Sequence, residues 1–116
     1  MSAQLACLTA DVGACGTFRV ELEAATGTVE VAVVRGEDGE LHAISDICSH
    51  GAVSLAEGEV EGSTIECWLH GSRFDLRTGV PTGLPAVRPV PVYPLTVDGE
   101  RVLVDVDAPL TAGKEN

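Results

Sequence analysis

The chain has 116 residues and a mass of 12.0 kDa, enough for one domain with a single core and too little for two catalytic lobes. Sixteen valines and thirteen glycines against four aromatic residues (Phe18, Trp68, Phe74, Tyr93) describe a β-rich chain with an aliphatic core, which argues against a helix bundle. Eighteen acidic against seven basic side chains leave a net charge of -11, so the surface repels nucleic acid and anionic lipid and suits a basic protein partner.

A hydrophobic content of 45% supplies enough apolar area to offset the entropy of ordering, which excludes a disordered chain. No run approaches the roughly 18 apolar residues of a membrane span, and the first residues lack the basic start and apolar core of a secretion signal. Gln4-Leu5-Ala6-Cys7 resembles a lipoprotein cleavage box, but only six residues precede the cysteine, and the reading is rejected. A cytoplasmic chain is expected, and there the four cysteines are metal ligands or reduced thiols rather than disulfides.

In chain order, strands are predicted over Thr17–Glu23, Thr28–Arg35, Glu40–Ser45, Ser63–Trp68, Ser72–Asp75, Val90–Val97 and Arg101–Val106. Short strands at this spacing predict an all-β sandwich or small barrel. Asp38-Gly39 and Asp98-Gly99 lie between strand runs and read as hairpin turns, since Asp-Gly supplies the positive φ that tight turns demand. Residues 46–62 interrupt the alternation with a loop rich in Gly, Ser and Glu and a short helical turn around Ala52–Glu57. Thr78–Pro94 contains five of the six prolines (Pro81, Pro85, Pro89, Pro91, Pro94), which disfavours ladder pairing and suggests a stiff covering loop. The end of the chain, from Ala108, is expected to fray.

Chemistry concentrates in two short boxes. Cys48-Ser49-His50 and Cys67-Trp68-Leu69-His70 are separated by sixteen residues, and together they use two of the four cysteines and two of the three histidines. Each box lies at a strand end or turn, where facing loops can converge four ligands. The spacing is compatible with like or mixed ligand pairs on each of two metals. A mononuclear zinc accepts the same donors, although its usual spacing groups cysteines with cysteines and histidines with histidines. A Cys-His nucleophilic pair would need a substrate pocket and a third, orienting group, and a chain this small and acidic offers neither.

Cys48-Ser49-His50, then Cys67-Trp68-Leu69-His70-Gly71-Ser72, then Phe74-Asp75 and Thr78-Gly79, resemble the signature of Rieske-type ferredoxins over almost the whole chain. The resemblance implies an all-β Rieske iron-sulfur domain: an antiparallel sandwich or barrel base with a small inserted cluster-binding subdomain. It implies one domain over residues 1–108, with the subdomain at about 46–85, and a flexible tail over 109–116. It further implies one [2Fe-2S] cluster, with Cys48 and Cys67 on the inner iron and His50 and His70 on the outer. Two ferric ions, two sulfides, two thiolates and two neutral imidazoles sum to zero charge, against about -2 for four thiolates, so reduction is easier.

High-potential members of the family carry an extra cysteine in each box, and these pair as a disulfide; the matching positions here are Val53 and Leu69. They also place a tyrosine near a ligand sulfur where this chain has Phe74, while their serine is matched by Ser72. With fewer donors to sulfur, a potential in the low part of the Rieske range (roughly -150 to +300 mV) is expected.

By the same resemblance the chain carries one electron from an NAD(P)H-dependent ferredoxin reductase to a terminal aromatic-ring-hydroxylating oxygenase, with no nucleic-acid or membrane partner. His50 and His70, with Gly51, Trp68 and Leu69, would form the contact surface. Pro81–Pro85 would cover the cluster, and Glu57, Glu59, Glu61 and Glu66 are candidate steering charges. With His50 and His70 committed, only His42 remains, so no two-histidine-one-carboxylate iron site can be built, and there is no dinucleotide fingerprint. A small Rieske subunit of a nitrite reductase, an accessory protein of iron-sulfur assembly and, more remotely, a zinc module are the alternatives. Cys7 and Cys15 lie outside both boxes and read as core or loop thiols. His42 reads as a structural strand residue, and Asp75 as a carboxylate that satisfies loop amides.

Overall fold

A computed structural model of the chain describes residues 3–13, 16–25, 27–47, 54–68, 71–82 and 90–107. The described residues form ten strands and two single-turn 3-10 helices: β1 (Gln4–Leu8), β2 (Thr17–Ala24), β3 (Gly27–Arg35), β4 (Leu41–Ser45), β5 (Glu59–Glu61), β6 (Thr64–Glu66), β7 (Arg73–Asp75), β8 (Val92–Tyr93), β9 (Leu95–Asp98) and β10 (Arg101–Val104). All strand pairings are antiparallel, in three sheets ordered β1-β10-β9, β2-β3-β4-β8 and β5-β6-β7. Among the described residues no helix is long and apolar enough to cross a membrane.

The organising element is β3. Its run Val31-Ala32-Val33-Val34 is fully buried, because the four-stranded sheet is covered on both faces. Val31 and Val33 point into one core with Ala43, Tyr93, Val102 and Val104, against the three-stranded sheet. Ala32 and Val34 point the other way, into a second core with Ile44, Val92, Ile65 and Phe74, against the small sheet. The period-2 alternation of strand side chains thus splits one apolar run between two cores. The small sheet is inserted between β4 and β8, and so lies as a third layer on the outer face of the base.

Both Asp-Gly pairs form hairpin turns, with φ of 89° at Gly39 and 65° at Gly99. The expected single strand Val90–Val97 is instead two strands. Pro94 lacks an N–H and sits between β8, in the four-stranded sheet, and β9, in the three-stranded one, so the chain changes sheets there. Two strands escaped the sequence reading. In β1 a bulge between Leu5 and Cys7 buries Ala6 and Cys7 in succession and destroys the alternation, while β5 is only three residues long. The helical turn is a single 3-10 turn, Leu55–Glu57. The expected tail, 109–116, lies outside the described residues.

Candidate metal centre

β4 ends at Ser45, shortly before the first box. Ile47 bridges to Ser54, and the Leu55 N–H donates to the Asp46 carbonyl at 2.6 Å, so the two ends of the intervening loop are drawn together. Cys48, His50 and Gly51 lie in that loop, outside the described residues, as does Val53. Leu55, the first large side chain after the loop, is fully buried in the core beneath the small sheet.

The second box begins where β6 ends. The Cys67 N–H donates to the Ser72 carbonyl at 2.6 Å, and the Gly71 N–H donates to the Cys67 carbonyl at 2.9 Å, so Cys67 is tied to Gly71 and Ser72 next to the Glu66–Arg73 pair of β6 and β7. Cys67 is a free thiol, fully buried in the same core as Leu55 and Phe74, and Ser72 is also fully buried. Trp68 is about half exposed (51%), directly after the buried cysteine. Leu69 and His70 lie outside the described residues.

The roots of both loops therefore meet on one core. Gly58, just after the 3-10 turn, lies so close to Glu66 that a Cβ there would fall 1.7 Å from the Glu66 carbonyl oxygen; Glu66 immediately precedes Cys67. A third segment, residues 80–82, is bonded along β7, which follows the second box. Pro81 bridges to Phe74, the Asp75 N–H donates to the Val80 carbonyl at 2.9 Å, and the Thr82 N–H donates to the Arg73 carbonyl at 2.8 Å. Gly79 holds this segment at φ 78°, where a Cβ would fall 1.9 Å from the Val90 carbonyl oxygen. Asp75 Oδ1 accepts the Arg77 and Thr78 N–H groups at 2.8 and 3.2 Å, the amide-satisfying role expected of it. Pro85 lies outside the described residues.

A buried thiol beside the root of a second ligand loop is a donor suited to a soft metal. Among the described residues no three Cys, His, Asp or Glu side chains come together, because three of the four expected ligands fall outside them. Of the expected steering charges, Glu61 and Glu66 are tied to Arg73 at 2.5 and 3.4 Å, while Glu57 and Glu59 have no cation partner among the described residues. Cys7 is a buried core thiol, its pKa raised by burial and then by Asp11. Cys15 lies outside the described residues. His42 sits in β4 with Nε2 buried and unpartnered among the described residues, and burial lowers its pKa. The sequence reading overlooked Gly58, whose glycine has no local turn signal because the requirement comes from β6.

Comparison with known proteins places these features in context. The family model for the Rieske [2Fe-2S] domain matches residues 3–94. The chain is 40% identical over 103 residues to the ferredoxin component of the p-cumate 2,3-dioxygenase system of Pseudomonas putida, covering 88% of this chain and 84% of that one. The ferredoxin of carbazole 1,9a-dioxygenase from Nocardioides aromaticivorans superposes with a TM-score of 0.77 at 35% identity, over 90% of this chain and 97% of that one. A ferredoxin in complex with its oxygenase, also from carbazole 1,9a-dioxygenase, superposes at 0.80 with 32% identity, over 90% and 94%.

Proposed function

This chain belongs to the Rieske [2Fe-2S] domain family, and from that premise we propose that it is the ferredoxin component of an aromatic-ring dioxygenase system. It carries one electron at a time from an NAD(P)H-dependent reductase to a terminal non-haem iron oxygenase, in the cytoplasm. The family's [2Fe-2S] cluster, when bound, takes up and gives back that electron. Cys48 and Cys67 are its thiolate ligands and His50 and His70 its imidazole ligands. The cluster-binding part spans about residues 46–85 of a single domain, 1–108.

The observation that carries this reading is the burial of Cys67 on the core that also receives the root of the first loop. The chain's own residues then do three things. The core around Cys67, with Phe74, Leu76 and Val90 fully or almost fully enclosed, keeps water from the sulfur side. The Phe74–Pro81 bridge anchors the start of the proline-rich segment on β7, directly after the second box. Trp68, exposed beside the buried cysteine, offers an indole to the partner. The relatives are named as ferredoxin components, and one is seen in complex with its oxygenase, which supports a terminal oxygenase as the acceptor.

The test is an anaerobic half-reaction. Reduced holoprotein is mixed with a terminal dioxygenase and its aromatic substrate, and oxygen is then admitted. The reading expects reoxidation of the carrier in step with hydroxylated product; reoxidation by oxygen alone, with no product above that of the oxygenase by itself, would refute it.

A further inference from the structure

The loop carrying Cys48 and His50 is held at both ends by one buried carboxylate. Asp46 is fully buried. Its N–H donates to the Glu30 carbonyl at 2.9 Å, continuing the β3–β4 ladder, and its carbonyl accepts from Leu55 across the loop. Its Oδ1 accepts the Ala56 N–H at 2.8 Å, and its Oδ2 accepts the Arg19 Nε–H at 3.1 Å. β2 reinforces the same point: the Thr17 hydroxyl donates to the Ala56 carbonyl at 2.5 Å, and the Arg19 guanidinium also pairs with Glu30 at 2.9 Å.

A carboxylate taken wholly out of water is costly unless it is paired and hydrogen-bonded. Among the described residues the Asp46 side chain bonds to the far end of the loop, at Ala56, and to the strand beside it, at Arg19. We propose that Asp46 is a positioning residue, with Arg19 as its counter-charge. It pins the stem of the first loop, so that Cys48 and His50 are presented to the second loop before a cluster binds. Ordering the loop in advance removes that entropic cost from cluster binding and slows cluster loss. The inference rests on the reading that Cys48 and His50 are ligands.

Four holoproteins test it: the parent, Asp46→Asn, Arg19→Gln and Val102→Ala. Val102 is fully buried in the other core, so its truncation lowers global stability without touching the stem. Cluster absorbance is followed in excess chelator, at temperatures equally far below each protein's Tm, and EPR is recorded on the reduced forms. Asp46→Asn and Arg19→Gln are expected to lose the cluster at least about tenfold faster than Val102→Ala and to show altered g values, while Val102→Ala keeps the parent's spectrum. Should Asp46→Asn not fold, Arg19→Gln carries the same expectation, since that side chain is 42% exposed. Parental spectra together with loss rates that simply follow Tm would overturn the proposal. A parent without a mixed Cys/His spectrum would instead overturn the ligand reading beneath it.

Discussion

Phe74, in β7, is fully buried, paired with Ile65 of β6 and bridged to Pro81, in the core that holds Cys67. A phenyl ring there excludes water but offers the sulfur no donor. Phe74→Tyr adds a hydroxyl that would donate to a sulfur of the bound cluster if the ligand assignment holds, and it should then raise the midpoint potential. One hydrogen bond of about 0.5–1.5 kcal/mol corresponds to roughly 20–65 mV for a one-electron couple, read by voltammetry. An unchanged or lower potential would mean the hydroxyl does not reach sulfur. Cys7 is enclosed in the opposite core, where its raised pKa keeps it protonated and inert. Cys7→Ser should leave the visible spectrum intact, and bleaching would contradict the assignment of ligands. His42 supplies a pH effect. Burial lowers its pKa below the unfolded value of about 6.5, outweighing Asp38, Glu40 and Asp75, which oppose that shift, while Arg77 adds to it. Below that pH the unfolded chain takes the proton first, so stability falls with acidification until the folded imidazole is also protonated. The loss of Tm between pH 7.5 and 5.5 should therefore be smaller in His42→Leu than in the parent. Equal losses would show that His42 does not contribute.

At the scale of elements, the strands that alternate or run continuously apolar were legible: β2, β3, β4 and β10 follow the sequence expectation to within a few residues. So were the Asp-Gly turns. What escaped has common physical causes. β1 carries a bulge, β5 is too short to alternate, and Pro94 redirects one apolar run into two sheets, a decision made by packing rather than by local propensity. At the centre, the two boxes were legible as chemistry because of their residue types and spacing. The parts that hold them were not. Asp46 reads as one more acid in an acidic chain, and the need for glycine at position 58 exists only because Glu66 passes beside it. Gly58→Ala should therefore be among the more damaging small substitutions, since the clash is with backbone. A Tm drop corresponding to about 1–3 kcal/mol is expected, with faster cluster loss because the contact joins the two loop roots. A thermal melt like the parent's would show that the two segments do not press together.

The whole molecule is a strongly acidic carrier whose charge is partly spent internally. Arg73 is shared between Glu61 and Glu66, and Arg19 is engaged by Glu21, Glu30 and Asp46. Glu57 and Glu59 remain as exposed charges on the stretch linking the two ligand loops, suited to steering toward a basic partner. Electron transfer to the oxygenase should slow by roughly tenfold as salt rises from low to physiological and higher strength, and Glu57→Lys/Glu59→Lys should flatten that dependence. A flat profile in the parent would remove steering from the account. Everything else follows from one claim, that Cys48, Cys67, His50 and His70 together hold a [2Fe-2S] cluster. The most direct test is EPR of the anaerobically prepared, dithionite-reduced protein, with iron and zinc measured on the same sample. The account predicts two irons per chain and a signal whose average g lies below that of an all-cysteine cluster. A colourless zinc protein, or the g values of four-cysteine ligation, would contradict it.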